Sequence, residues 1–547
     1  MGTITVIIFI LIAILVSDIL SKTIHLNIPL PLIQIFTGAI ISSIFGEGVL
    51  LEPHSFILIF IPPLLFLDGW RISNSELKKE WSNIAQLSMG LIILTMLAVG
   101  YIIKLMIPDL PLPIAFALAA ILAPTDPVAV TGITRKLVVP HRVMVNLEGE
   151  ALFNDATGLV AFKMAVIVAL TGHFSFFTAT STFVWVVLAG TIVGILTTRA
   201  LYSARNKLSR NHDSELGFEI LLSIMTPFIS YLIAEYINSS GVLAAVASGI
   251  TMSRIELKED VSPTIRMQRS TIWDTIQYTL NGAIFIILGE QLPGIFMHSS
   301  SVAYSMGYNN LLGVLILATS ICISLILVRL AWVFISLNIT SIIKNKRLIK
   351  INAANSRDII LVSIGGVRGA ITLAGILSLP LALQSSDGFP ARDISILLAA
   401  SVIIISIILA SIIIPLLLKN KSIQNHSLST SLMEQTNLAL HLTQRRNAAN
   451  VNVLFDSIKD CDSANSENLY SEIYDRLWNE ITRALSKNEN ISIEHHQEID
   501  IENKIRSHLI NSTRKTIFEL AVKGKISDFS AREMVKRLDA YDIGYMK

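Results

Sequence analysis

The sequence is poor in cysteine and in charge. Only two cysteines occur among 547 residues, which excludes a disulfide framework and any Cys-x-x-Cys metal or redox site. Charged residues make up 15% of the chain, whereas soluble globular proteins carry about a quarter. The chain has no phosphate-binding loop, and its apolar segments have no His-Glu-x-x-His motif or cluster of nucleophile and base. A nucleotide-dependent protein and a membrane-embedded enzyme are therefore disfavoured.

The few charges are unevenly distributed along the chain. Residues 419–547 hold 18 basic and 18 acidic residues. Charged residues are about 28% of that segment and about 11% of residues 1–418, and the balanced signs give no indication of a nucleic-acid partner. We therefore predict a transmembrane domain in residues 1–418 and a cytoplasmic helical tail in residues 419–547.

Thirteen segments are apolar enough to cross a bilayer, whose core of about 30 Å needs about 20 apolar residues per helix. The first is read as a retained span, because no basic residue precedes it and no small-residue cleavage site follows it. The segments are 3–20, 28–46, 55–70, 83–107, 112–131, 143–170, 181–202, 216–237, 240–254, 270–290, 311–337, 357–380 and 394–418. The loops on one side carry 20 basic residues and those on the other carry one, Arg392. Because basic loops stay cytoplasmic, we predict a multi-pass protein of the cell (inner) membrane, with its N-terminus outside and its tail cytoplasmic.

Two of these segments contain a helix-breaking motif with a charged residue inside it. The fifth contains APTDPVAV (123–130) and the twelfth contains GGVRGA (365–370). Thr or Asp before Pro is typical of a helix that restarts, and a glycine run has poor helix propensity. If segments 1–6 and 8–13 are inverted repeats, the two breaks match and indicate a binding site at the membrane midplane. The alternative is that these residues only kink their helices.

The sixth segment, 143–170, holds three carboxylates: Glu148, Glu150 and Asp155. An ionisable residue at membrane depth costs about 2.5 kcal/mol or more and usually marks an ion or proton path. Asp155 lies about midway along the segment. A buried aspartate that binds either a proton or a small cation, and is exposed alternately to each side, is sufficient for antiport. The alternative interpretation is a salt-bridged structural acid.

Four motifs together resemble the hallmark segments of the sodium–proton antiporters of the cation–proton antiporter-1 family. They are IPPLLFLDGW (61–70), APTDPVAV (123–130), EGEALFNDATGL (148–159) and GGVRGA (365–370). The resemblance implies an all-α membrane protein of about 13 transmembrane helices in two inverted repeats, with interrupted helices that cross at the midplane. It also implies a homodimer that exchanges a monovalent cation for a proton, serves pH and sodium homeostasis, and has no cofactor and no enzymatic activity.

Carried over residue by residue, the resemblance implies that Asp155 binds the ion and the proton. Thr125 would lend an oxygen as a second Na⁺ ligand, and Asp68 would stand near the inner entrance as an auxiliary acid. This chain has Ala151 where many relatives carry a serine, so water or Thr125 must replace one hydroxyl. The choice among Na⁺, Li⁺ and K⁺ is therefore left open by the sequence.

A second set of residues would support this site. The resemblance implies that Glu150, Asn154 and Arg368 form a network between the sixth and twelfth segments, while Asp126 caps the restarted half-helix and offsets its positive end. Electrogenic relatives have an aspartate in place of Asn154, so we expect electroneutral exchange of one proton for one cation. Lys163 is either a counter-charge to Asp155 or a side chain that snorkels to the outer interface.

A cation channel is the alternative from another functional class. It would need a continuous polar lining or a filter such as TVGYG, and that filter is absent from the sequence. Four further charged residues within the apolar segments are predicted to be interfacial, because they lie near predicted helix ends: Asp18, Glu219, Asp274 and Arg329.

The tail has apolar residues at helical spacing, which predicts soluble helices at 430–456, 466–488, 495–522 and 526–540. Such helices would form a small regulatory or dimerising module. A partly disordered tail is the alternative.

Overall fold

The computed structural model is mostly helical in the residues that it describes. These are 3–23, 29–45, 53–72, 81, 84–126, 130, 133–134, 139, 141–172, 176–209, 216–256, 263–305, 311–345, 353–369, 372, 375–376, 392–418, 438–439, 476, 478–479 and 499–545. No strand occurs within these ranges, which confirms the predicted all-α class.

A helix overlaps each of the thirteen predicted segments. In chain order they are α1 (Thr3–Thr23), α2 (Leu30–Phe45), α3 (Pro53–Arg71), α4 (Leu91–Met106), α5 (Leu112–Leu122), α6 (His141–Thr171), α7 (Phe176–Ser209), α8 (Leu216–Tyr236), α9 (Gly241–Glu256), α10 (Pro263–Ser305), α11 (Leu311–Asn345), α12 (Ala353–Ile364) and α13 (Arg392–Leu418). A π-helical turn, Gln86–Gly90, leads into α4.

Six of the described helices are long and apolar enough to cross a membrane: α4 with its π-helical turn, α6, α7, α8, α11 and α13. The helices α2 and α5 are apolar but shorter. The exact number of crossings and the inverted-repeat relation stay predictions.

The described residues form two compact units. The first lies within Met1–Ile72, Glu80–Ser253 and Trp273–Lys421, and the second lies within Arg254–Ile272 and Ser422–Lys547. In the first unit, α4, α5, α6, α11, α12 and α13 pack into one bundle. From Ile114 to Leu122, every residue of α5 except Phe116 is buried, as expected for a helix that is apolar around its whole circumference.

Glycines allow other helices of the first unit to approach closely. A Cβ on Gly38 of α2 would overlap the Ile286 carbonyl oxygen of α10, and a Cβ on Gly289 would overlap that of Ile35. In lipid, helix association depends on van der Waals packing between small residues. These glycines therefore hold α2 against α10.

The second unit contains α14 (Ile499–Val522) and α15 (Asp528–Tyr545), which overlap two of the predicted tail helices. A left-handed glycine, Gly524 (φ 68°), ends α14 in the conformation that glycine adopts most readily at helix C-termini. Buried Ile517 and Leu538 contribute to the apolar core of this unit. The predicted helices 430–456 and 466–488 lie outside the described residues, apart from five positions in 438–439, 476 and 478–479.

Candidate functional site

Two interrupted helices meet in the first unit. The helix α5 ends at Leu122 and residues 124–126 have no regular structure, while α12 ends at Ile364 and residues 366–369 have none. The Asp126 backbone N–H donates to the Val367 carbonyl oxygen at 2.7 Å. Both helices are thus interrupted at the predicted motifs, and the two interruptions are in contact. The expected capping of a restarted half-helix by Asp126 concerns residues 127–129, which lie outside the described ranges.

Arg368 satisfies backbone carbonyls that the two breaks leave free. Its Nε donates to the Leu122 carbonyl oxygen at 3.0 Å, and its Nη1 donates to the Gly366 carbonyl oxygen. The last carbonyls of a helix have no intrahelical partner and carry partial negative charge. A buried guanidinium at the end of α5 therefore satisfies a polar group for which the hydrocarbon core offers no water.

Asp126 also contacts the second break through its side chain. A Cβ placed on Gly369 would overlap Oδ2 of Asp126. Only glycine therefore allows the carboxylate to lie against this stretch of backbone. Asp126 therefore lies in the break that follows α5 and packs against the break that follows α12.

Asp155 lies on α6 and is 6% exposed. The charges that act on it most strongly belong to the carboxylates of Asp126, Asp68 and Glu150. Within the described ranges Asp155 has no ion pair with a basic residue. The negative potential at Asp155 favours binding of a proton or a cation. The described residues therefore do not support the interpretation of Asp155 as a salt-bridged structural acid.

Glu150 lies one helical turn before Asn154 on α6. It is fully buried and forms an ion pair with Arg329. Its carboxylate accepts from Arg329 Nη1 at 2.5 Å and from Nη2 at 2.8 Å. It also accepts from Asn154 Nδ2 at 3.4 Å and from the Thr125 side chain. A buried charge needs a partner of opposite sign together with satisfied hydrogen bonds, and Glu150 has both.

The partner of Glu150 differs from the one that the sequence suggested. The expected network joined Glu150 to Arg368, but Arg329 forms the bidentate pair, and Arg329 Nε continues to the Val362 carbonyl oxygen of α12 at 3.0 Å. Arg329 therefore connects α6, α11 and α12. Arg368 instead binds backbone carbonyls, because it lies in the break itself, next to the end of α5.

The prediction that Arg329 is interfacial is wrong, since the residue is 1% exposed. Glu219, in the first turn of α8, is fully buried and pairs with Arg205 at 2.5 Å, and its interfacial position stays a prediction. Asp18 and Asp274 have partly exposed side chains, paired with Lys22 and Arg71. A signal for Arg329 was available: an arginine within an apolar span is costly in lipid, so it must face the protein and find an acid.

The site also contains neutral oxygen atoms. Asn154 Oδ1 is buried and accepts no hydrogen bond from any described residue, and the Thr125 hydroxyl retains lone pairs after donating to Glu150. Ala151 is 3% exposed and adds no oxygen. A carboxylate near neutral oxygens is a ligand type that suits hard cations. The Thr125 side chain hydrogen-bonds to Glu150, and its role as an Na⁺ ligand stays a prediction.

Asp68 and Lys163 lie at the margins of this arrangement. Asp68, near the C-terminal end of α3, is half-buried, and its charge interacts with Asp126 and Asp155. The Lys163 side chain is 55% exposed and pairs with Glu235 at 3.4 Å. Lys163 therefore has a carboxylate partner on α8 instead of acting as an ion-pair partner of Asp155.

Comparison with known proteins gives a consistent result. Residues 6–420 match the family described as "Sodium/hydrogen exchanger, transmembrane". The chain is 33% identical over 529 residues to the uncharacterized Na⁺/H⁺ exchanger YjcE of Escherichia coli, covering 96% of this chain and 95% of that protein. It is 34% identical over 524 residues to a sodium, potassium, lithium and rubidium/H⁺ antiporter of Bacillus pumilus, covering 95% of this chain and 74% of that one.

The fold also matches a solved structure. The sodium proton antiporter MjNhaP1 from Methanocaldococcus jannaschii aligns with a TM-score of 0.58 at 19% sequence identity, covering 77% of this chain and 99% of that one. At this identity the match concerns the fold alone.

Proposed function

Because the chain belongs to the sodium/hydrogen exchanger family, a family of membrane cation–proton antiporters and not of enzymes, we propose that it exchanges Na⁺ for H⁺ at Asp155 by alternating access. The single observation that carries the proposal is a buried aspartate without a basic partner among the described residues. Asp155 lies in a bundle that also contains two interrupted helices, α5 and α12, whose interruptions contact each other.

The exchange needs only one site with two mutually exclusive ligands. When Asp155 faces one side of the membrane, its carboxylate releases a proton to water and binds Na⁺, with Thr125 supplying a further oxygen and Asp68 acting as an auxiliary acid near the inner side. When the site faces the other side, Na⁺ leaves and a proton takes its place. The loaded carboxylate is neutral in either form, which lowers the cost of moving it through a low-dielectric region.

Electroneutral 1:1 exchange is supported by what surrounds Asp155. Asn154 is neutral, and Glu150 is held as a carboxylate by two hydrogen bonds from Arg329. A bidentate guanidinium partner favours the ionised form of Glu150. One titrating carboxylate then carries one proton in one direction and one monovalent cation in the other.

Potassium is the runner-up substrate. The Bacillus pumilus relative is named for sodium, potassium, lithium and rubidium. Ala151 is buried and has no hydroxyl to contribute, so more of the shell would be water, which discriminates less between cations of different radius. A cation channel is not favoured by any observed feature.

The remaining features of the proposal follow from the family resemblance and the basic loops. We infer a role in pH and sodium homeostasis, a homodimer, and an inner-membrane location with the N-terminus outside and the tail cytoplasmic. Labelling of single introduced cysteines from either side of intact cells tests the orientation.

The central experiment is Asp155→Asn in everted membrane vesicles that carry a pH-sensitive dye. Addition of Na⁺ should dissipate the proton gradient with the wild-type protein and should have no effect with the variant. Asp18→Asn on α1, where the carboxylate is partly exposed and paired with Lys22, is the matched control and should behave as the wild type. Na⁺-dependent proton movement by Asp155→Asn at wild-type rates would refute the assigned site.

Stoichiometry and ion preference need separate measurements. In proteoliposomes, an imposed diffusion potential should leave the Na⁺/H⁺ exchange rate nearly unchanged, and a strong dependence on potential would contradict 1:1 exchange. Parallel additions of Na⁺, Li⁺, K⁺ and Rb⁺ to the vesicles measure the ion preference directly.

A further inference from the structure

The start of the fourth membrane segment lies between the two helices that carry the Glu150–Arg329 pair. On the α6 side, Ile84 is fully buried, and a Cβ placed on Gly149 would lie 2.6 Å from Ile84 Cδ1. Trp81 meets Phe153 edge to face, with ring centroids 5.4 Å apart. These contacts flank Glu150 on either side along α6.

On the α11 side, the contacts come from the π-helical turn Gln86–Gly90. Trp332 Nε1 donates to the Gln86 carbonyl oxygen at 2.9 Å, and Ser336 Oγ donates to Gln86 Oε1 at 3.0 Å. A Cβ on Gly90 would overlap the Trp332 indole. Trp332 follows Arg329 by three residues, so the two lie on the same side of α11.

The π-helical turn makes these contacts possible. In it, the Leu91 N–H bonds to the Gln86 carbonyl oxygen, which also accepts from Trp332. Single π-helical turns within α-helices are rare and occur frequently at functional sites. A regular α-helix would rotate Gln86 relative to Gly90 and would separate the two contacts with α11.

We propose that Gln86 and Trp332 are positioning residues for cation exchange. With Ile84 and Gly90 they form a brace, the π brace, that sets the spacing and rotation of α11 against α6 and so keeps Arg329 on Glu150. This inference rests on the proposed function. Binding constellations must be held within about 0.5 Å of their productive geometry by supporting residues. The Glu150 carboxylate accepts hydrogen bonds from Thr125 and from Asn154, the chain neighbour of Asp155.

The test compares the apparent KM for Na⁺ with the maximal rate per inserted protein, in everted vesicles. Trp332→Phe keeps a ring and removes the N–H donor, while Gln86→Met removes the side-chain acceptor. We expect each to raise the apparent KM about fivefold, which corresponds to about 1 kcal/mol, with a smaller change in maximal rate. Trp185→Phe, at a site that is 58% exposed on α7, is the matched control and should leave both values unchanged.

A double-mutant cycle makes the test specific. Gly90→Ala should raise the apparent KM strongly in the wild-type background, because the new methyl group overlaps the Trp332 indole. In the Trp332→Phe background the overlapping ring atoms are gone, so the same substitution should raise the apparent KM only slightly. Additive effects, or an unchanged KM in Trp332→Phe and Gln86→Met, would overturn the π brace. If Asp155→Asn still exchanges ions, the proposed function fails instead. An inactive Asp155→Asn together with wild-type KM values in the brace variants refutes the brace alone.

Discussion

The buried Glu150–Arg329 pair predicts a large and specific effect of Arg329→Met. The substitution keeps an unbranched apolar stem and removes the guanidinium. The side chains of Glu150 and Arg329 are 0% and 2% exposed, so the variant leaves a carboxylate buried without its charged partner. Breaking a buried pair in this way costs about 3–5 kcal/mol. At about 2 °C per kcal/mol for a large domain, the melting temperature should fall by about 6–10 °C.

The second substitution, Glu150→Gln, should reverse much of this loss. With the charge removed from both sides, the glutamine amide can still bond to Thr125 and Asn154. Replacement of a whole buried pair by neutral groups is often close to neutral in stability. The coupling energy between the two changes should therefore reach about 2–3 kcal/mol, the upper range for residues in direct contact.

Thermal unfolding of purified protein in detergent, followed by fluorescence-detected gel filtration, measures the cycle. In the control cycle, Arg368 is substituted and Arg329 is left unchanged. Since Arg368 hydrogen-bonds to the carbonyl oxygens of Leu122 and Gly366, Arg368→Met should couple to Glu150→Gln much more weakly than Arg329→Met does. Equal coupling for the two arginines, or additive losses for Arg329 and Glu150, would refute the assigned pairing.

Two further predictions concern the ion shell and the second compact unit. Ala151 lies one helical turn before Asp155, so Ala151→Ser adds a hydroxyl oxygen to the helix face that carries Asp155. The substitution should lower the apparent KM for Na⁺ by several-fold in everted vesicles. An unchanged KM would place Ala151 outside the coordination shell. Asp539 is 1% exposed and accepts a hydrogen bond from Arg266 at 2.9 Å. Loss of a hydrogen bond between charged groups costs about 1.5–3 kcal/mol of folding free energy. Asp539→Asn in the full chain should therefore speed hydrogen exchange in residues 499–545. Burial raises the pKa of Asp542, so ionisation of this carboxyl group lowers the stability of the folded state as pH rises. Asp542→Asn should therefore leave hydrogen exchange unchanged or slow it at neutral pH, and equal acceleration in both variants would contradict the central role of Asp539.

Local chemistry made the interruptions of α5 and α12 predictable. Proline lacks an N–H, glycine disfavours the helix, and both act within a few residues of where they stand. The helix ends at Leu122 and Ile364 lie directly before those motifs. The hypothesis for Asp155 has a similar basis, since a carboxylate in an apolar span is costly wherever the rest of the chain lies.

The partner choice at Glu150 was not predictable in the same way. The eleventh and twelfth segments both contain arginine, and either Arg329 or Arg368 could have met the carboxylate. Arg329 is 179 residues away from Glu150 in the chain, and its contact depends on how α11 is rotated about its axis. The π-helical turn was missed as well, because the apolar pattern of 83–107 does not distinguish one wider turn within a helix from regular α-helix.

The amino-acid sequence alone determined that the chain is a helical membrane protein, that two of its helices are interrupted, and that one carboxylate near them is the candidate ion site. Each of these properties follows from the cost of placing particular side chains or backbone groups in hydrocarbon. The tertiary structure decided which arginine neutralises Glu150, which carbonyls Arg368 satisfies and what lies between α6 and α11. These contacts join residues far apart in the chain, and only the packing of whole helices brings them together.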